Sequence, residues 1–184
     1  LTTAELSRLD ARGAFPEWPE ASGVPRLSEV LDAFAGTVHF AIEIKSDTPE
    51  RLELVCAALV GAIHYYRLPP RVTVTSFDPI ALEIMRRRAP AISRAYIGAY
   101  DTPAFLETAL RLDCTQADIP HARGSADVVR EAQARGLRVV GWLGNTVEEL
   151  QILLDWGVDG ITTDYPSRAL PFLRQRGIAT DSWS

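Results

Sequence analysis

The sequence predicts an α/β fold: a TIM-type (β/α) barrel, incomplete, with six of the eight strands present in this chain. Three observations predict it. Six short apolar or β-branched runs are each followed by a turn and an amphipathic stretch. Residues near the ends of those runs (Glu43, Ser76, Gly98, Ile119, Trp142 and Asp164) are separated by 33, 22, 21, 23 and 22 positions, the period of βαβ units. No Gly-rich phosphate turn follows any run, which disfavours a long doubly wound sheet and leaves a barrel. With 184 residues, 47% of them hydrophobic, the chain is expected to form one domain over residues 1–184 with a sizeable core.

Thr2-Thr3-Ala4-Glu5 has capping-box spacing, with Leu6 and Leu9 on one face, so a short surface helix opens the chain. Pro16, Pro19, Gly23 and Pro25 then break any period and predict a loop. Phe15 and Trp18 within it are expected to pin the loop to the body, with a substrate lid as the alternative. Leu27, Val30, Leu31 and Phe34 recur at helical spacing up to Gly36. The six strand runs are 38–45, 71–77, 94–99, 114–119, 137–142 and 160–163. Stretches such as Val72-Thr73-Val74 and Val139-Val140 suit a parallel sheet covered on both faces. Thr48-Pro49, Asp78-Pro79 and Thr102-Pro103 pair a capping residue with proline and predict helix starts, as do Ser125 and Thr146. Gly136 and Gly157 predict helix stops, each leading directly into the next strand.

The charge balance excludes some partners. A net charge of -5 and a pI near 5.2 offer no basic patch for nucleic acid or anionic lipid. No apolar run reaches membrane-span length and no signal peptide is evident, which favours the cytoplasm. Cys56 and Cys114 have neither disulfide-framework nor metal-type spacing and are expected to be reduced and partly buried.

Chemistry concentrates in Phe40-Ala41-Ile42-Glu43-Ile44-Lys45. Residues two apart in a strand share a face, so Glu43 and Lys45 project together, while Ile42 and Ile44 project oppositely. Two opposite charges at the end of a buried strand are costly unless they pair, bind a metal or hold a substrate. Among the histidines, His39 begins its strand at the barrel bottom, His64 sits late in a helix, and His121 follows Asp118-Ile119-Pro120 at a strand's catalytic end. Asp118 and Asp164 also end strands, where each either caps the next helix or faces a ligand. Arg86-Arg87-Arg88 closes a helix as a solvated cationic face.

Five segments taken in order resemble the glycerophosphodiester phosphodiesterase family. They are Val24 to Leu31; Ile42-Glu43-Ile44-Lys45; Ser76-Phe77-Asp78-Pro79; Gly136 to Val139 with Trp142 and Asn145; and Gly157 to Pro166. The resemblance implies a (β/α)8 barrel that uses a divalent metal, Mg or Ca, to hydrolyse a small-molecule glycerophosphodiester to glycerol phosphate and an alcohol. By the same resemblance Glu43 is the metal-ligating carboxylate and Lys45 the catalytic cation that meets the phosphate oxygens. Trp142 is similar to the aromatic that lines the alcohol or glycerol side. Phe77 and Asp164, at strand ends, are expected as further substrate contacts, and His121, from its place at a strand's catalytic end, as the acid/base candidate. The family's His-Arg, Glu-x-Asp and His-Asp pairs are not found in this sequence. The expectation is therefore a partial active site, whose remainder comes from two further strands or from a partner chain covering open barrel edges. An inactive barrel acting as a binding or scaffold module, and another phosphodiesterase of the same superfamily, are the alternatives.

Overall fold

The structure, a computed structural model, describes residues 2–13, 19–98 and 104–178. The expectations placed on Phe15, Trp18 and Thr102-Pro103 lie outside those residues. Two helices, α1 (Thr3–Leu6) and α2 (Leu27–Phe34), precede a regular alternation. It runs β1 (Phe40–Glu43), α3 (Pro49–Tyr65), β2 (Val72–Ser76), α4 (Pro79–Arg88), β3 (Ser93–Ile97), α5 (Phe105–Arg111) and β4 (Gln116–Pro120). A single 3-10 turn (His121–Arg123) follows, then α6 (Ala126–Ala134), β5 (Arg138–Trp142), α7 (Val147–Trp156), β6 (Gly160–Ile161) and α8 (Pro166–Gln175).

The capping chemistry behaves as the sequence predicts. Thr48, Asp78, Ser125 and Thr146 each accept a backbone N–H of the first turn through the side chain, and Thr2 and Thr146 complete capping boxes with Glu5 and Glu149. Gly157 closes α7 at φ 74°, a left-handed conformation that costs glycine nothing and any β-carbon-bearing residue strain.

Among the described residues six strands form one all-parallel sheet in sequential order, β1 to β6, curled into part of a barrel. The strands are shorter than the apolar runs. The first ladder begins only at Phe40, whose N–H bonds Arg71 O, so Val38 and His39 precede the sheet. The last ends at Ile161, although Thr162 still donates to Gly141 O.

The registers sort side chains between two faces. Val72, Val74, Ala117, Ile119 and Val139 point outward into two apolar clusters beneath the helices. Glu43, Thr75, Ala95, Gln116 and Arg138 follow one another through consecutive register pairs and share the inner face. Thr73, Thr75, Gln116 and Asp118 are all buried there, so the inner face is polar where the outer is apolar.

Two contacts require the curl. The Phe77 and Trp142 rings, at the ends of β2 and β5, meet edge to face at 6.0 Å and 87°. Near the other end of the strands, the charge of Arg138 acts on His39. β2 and β5 are not neighbours in the sheet, so such contacts cross the concavity rather than run along it.

One buried cation is structural. Arg94, on the helix side of β3, donates to the carbonyl oxygens of Pro90, Ile92, Leu112 and Asp113. It ties the start of β3 to the turn after α5, where Asp113 has φ 50°. Both cysteines are free and buried, and burial pushes the Cys114 thiol up to about 12. No helix among the described residues is long and apolar enough to cross a membrane.

Candidate functional site

Strand alternation puts Glu43 and Lys45 on the inner face at the C-terminal end of β1, and the structure joins them: Lys45 Nζ donates to Glu43 Oε1 at 2.7 Å. The lysine side chain is 80% exposed and the glutamate 30%, so the pair sits in high dielectric and is worth at most about 1 kcal/mol. A competing anion can therefore separate it. Continuing the β1/β2 register past Glu43 and Thr75 sets Lys45 alongside Phe77, and Phe77 is the residue that reaches Trp142.

Behind this rim lies Asp118. Its strand neighbours Ala117 and Ile119 pack outward, while Asp118 points inward and is 7% exposed. Gln116 Nε2, two residues back on the same face, donates to its Oδ1 at 2.8 Å. Burial pushes this carboxyl up to about 7; the Gln116 hydrogen bond opposes that and the negative charge of Glu43 adds to it. Asp118 is thus neither a helix cap nor an ordinary ionised carboxylate. Sequence reasoning placed it at a strand end, but its burial depends on residues brought over from β1 and β5.

The third cluster joins the ends of β5 and β6. Asn145 Nδ2 donates to Asp164 Oδ2 at 2.8 Å, and Asn145 Oδ1 accepts from the Asp164 N–H at 2.9 Å and from Thr163 Oγ1 at 3.2 Å. Asp164 therefore sits beside the β5 loop and leaves the N-capping of α8 to no side chain. Glu149 accepts the N–H groups of Asn145 and Thr146, which hold its carboxyl below the usual range.

His121 lies in the 3-10 turn after β4, with Nε2 3.5 Å from Glu149 Oε1 and Nδ1 buried without a hydrogen-bond partner among the described residues. The structure thus sets it beside the first turn of α7. His39 Nε2 bonds Thr73 Oγ1 at 3.0 Å, and burial lowers its pKa.

A cavity of about 540 Å3 opens on the helix side of β1, between α2 and α3, lined by Leu27, Ile42, Ile44, Leu52, Val55 and Leu59 with Glu43 and Lys45 at its edge. It is an apolar groove that runs along the outer side of β1 and reaches the Glu43–Lys45 pair.

The donor set for a metal is thin. Among the described residues no group of three or more His, Cys, Asp or Glu side chains is placed to hold an ion. A hard divalent cation takes six or more oxygens. Glu43 offers one carboxylate, already paired with Lys45. These residues by themselves do not fit a resident metal.

Comparison with known proteins follows the same elements. The model of the glycerophosphoryl diester phosphodiesterase family matches residues 1–168. A Bacillus subtilis glycerophosphodiester phosphodiesterase is 29% identical over 185 residues, covering 90% of this chain and 62% of the relative. A Silicibacter pomeroyi structure described as a glycerophosphoryl diester phosphodiesterase superimposes with a TM-score of 0.86 at 30% identity, covering all of this chain and 70% of that one. An Oleispira antarctica phosphodiesterase, solved in complex with the product sn-glycerol-3-phosphate, shares the fold at a TM-score of 0.80 and 23% identity, covering 94% of this chain and 70% of that one. The chain thus spans about two thirds of the length of the proteins it matches.

Proposed function

The chain belongs to the glycerophosphoryl diester phosphodiesterase family, and from that premise we propose that its inner face binds the phosphate of a glycerophosphodiester for hydrolysis to glycerol phosphate and an alcohol. The observation that carries this reading is the Glu43–Lys45 pair at the mouth of the concavity, beside the Phe77–Trp142 edge contact.

Lys45 does the electrostatic work. A phosphodiester transition state spreads negative charge over its non-bridging oxygens, and an ammonium presented at a strand end opposes that charge without reorganising. Glu43 holds the ammonium against the strand until phosphate displaces it, an exchange made easy by the weakness of an exposed pair. Phe77 and Trp142 supply an apolar edge for the carbon skeleton of glycerol or of the leaving alcohol. Asp164, held through Oδ2 by Asn145, presents Oδ1 to a glycerol hydroxyl. His121 acts through Glu149 on the start of α7, and no proton transfer is routed through it.

A divalent cation, Mg or Ca, would supply charge neutralisation at the phosphate, with Glu43 as one of its ligands; the remaining oxygens must come from groups other than the described side chains. That shortfall favours a second reading, in which this chain binds glycerophosphodiesters without turning them over. Self-association is a further element of the proposal, because among the described residues β1 pairs on one side only and an open edge can template another strand.

Release of glycerol phosphate from glycerophosphocholine, followed by phosphorus NMR with added Mg or Ca, separates the readings. Turnover that a chelator abolishes and that Glu43→Gln and Lys45→Ala each reduce at least tenfold supports hydrolysis at this site. Saturable binding without turnover supports the second reading. Turnover untouched by both substitutions would overturn the assignment of the site.

A further inference from the structure

We infer that Asn145 is a positioning residue: by clasping Thr163 and Asp164 it fixes the loop that leaves β5 directly after Trp142, and so sets the aromatic wall of the concavity against the carboxylate that follows the neighbouring strand. Three side-chain hydrogen bonds converge on this one amide, and they use its donor and its acceptor separately. Nδ2 donates to Asp164 Oδ2, while Oδ1 receives both the Asp164 N–H and Thr163 Oγ1. A carboxamide presents its donor and its acceptor on two separate atoms of one short side chain.

The intervening backbone transmits the constraint. Gly141 O accepts from Thr162, and the Gly144 N–H donates to Thr162 O, so the segment from Gly141 to Asn145 is pinned to the β6 side at successive points. Gly144 fits so closely that an added β-carbon would lie 2.7 Å from Ile161 Cγ2 and 2.8 Å from Leu150 Cδ2. Beyond the clasp, the N–H of Asn145 donates to Glu149 at 2.8 Å, which anchors the loop to α7.

Trp142 depends on this scaffold because its own polar atom fixes nothing. The indole Nε1 is buried and has no hydrogen-bond partner among the described residues. The ring meets Phe77 edge to face, and the loop that ends at Asn145 leaves directly behind it. A loop released at Asn145 would let the ring turn away from Phe77.

The inference rests on the proposed role of Trp142 and Asp164, so its test reads the geometry apart from the binding. The full chain is labelled with 5-fluorotryptophan, and the Trp142 fluorine resonance is assigned by Trp142→Phe. Asn145→Asp replaces the donor with an acceptor facing Asp164, and it is expected to shift the Trp142 resonance beyond its linewidth while the Trp156 resonance stays in place. Adding Asp164→Asn reverses the donor and the acceptor, rebuilds the bond and is expected to return the resonance to its original position. Asp164→Asn is expected to give no such rescue in an Asn145→Ala background. Thr163→Val, which removes one of the three bonds, serves if the Asn145 variants fail to fold, and an intermediate shift is expected.

A Trp142 resonance unmoved in Asn145→Asp, or equally displaced in the single and the double variant, would overturn the inference. Titration with sn-glycerol 3-phosphate then tests the function separately. Resonances that follow the clasp but ignore the ligand would leave the positioning role standing and remove the proposed substrate role of Trp142.

Discussion

Replacing Asp118 by asparagine should remove a pH dependence built into the fold. In the folded chain this carboxyl titrates at about 7, against an ordinary value of 3.8. The folded state therefore holds its proton more tightly than the unfolded state does. Stability is greatest below the unfolded value and is lost as the pH rises toward the folded one. The two values differ by about three pH units, and each unit is worth about 1.4 kcal/mol, so the loss is roughly 4 kcal/mol. That is a large share of the roughly 5–15 kcal/mol that stabilises a domain. The carboxamide introduced by Asp118→Asn keeps an oxygen to accept the Gln116 bond and carries no charge, so this contribution is absent from the variant. Urea denaturation between pH 4 and pH 8 measures it. The variant and the parent should be close at pH 4 and diverge by several kcal/mol at pH 8, with the variant the more stable. Contributions from Asp10, Glu53, Glu83 and Glu149, all held below the usual range by hydrogen bonds, cancel in the difference. A gap that stays constant within about 0.5 kcal/mol would refute the placement of Asp118 in a water-poor interior.

Other substitutions test the scaffold. Arg94→Met should destabilise by about 3 kcal/mol, because it leaves buried carbonyl oxygens at the start of β3 and after α5 without their donor; thermal melting reads the loss. Gly141→Ala should cost about 1–3 kcal/mol through overpacking, since the added carbon would fall 2.3 Å from Cδ2 of Leu153, a fully buried side chain of α7. Ser125→Ala should cost about 1 kcal/mol by removing the cap of α6. A larger loss would show that Ser125 does more than cap.

The six strands and their order were legible because parallel strands buried on both faces leave continuous β-branched runs, and because Thr48, Asp78, Ser125 and Thr146 mark helix starts by local chemistry alone. The shared face of Glu43 and Lys45 followed from the two-residue period of a strand. What was not legible depends on residues far apart in the chain. The Phe77–Trp142 contact joins residues 65 positions apart and exists only because the sheet curls. The high pKa of Asp118 comes from burial on an inner face whose closure no local pattern reports. The Asn145 clasp left a weak signal, an asparagine three residues after the strand-end tryptophan, but its partners Thr163 and Asp164 become neighbours only through the pairing of β5 with β6. His121 shows the reverse: its place after a strand end was legible, but its orientation toward Glu149 follows from a 3-10 turn that the sequence did not announce.

The claim on which the functional account stands is that the β1 strand end is a phosphate site. Calorimetric titration of the 184-residue chain with sn-glycerol 3-phosphate, beside Lys45→Ala, tests it most directly. Because the lysine is exposed and its ion pair weak, the substitution should leave the melting temperature nearly unchanged. The account predicts saturable binding by the parent chain and at least a tenfold weaker affinity in the variant. Equal affinities in the two proteins, or no binding by the parent, would contradict it.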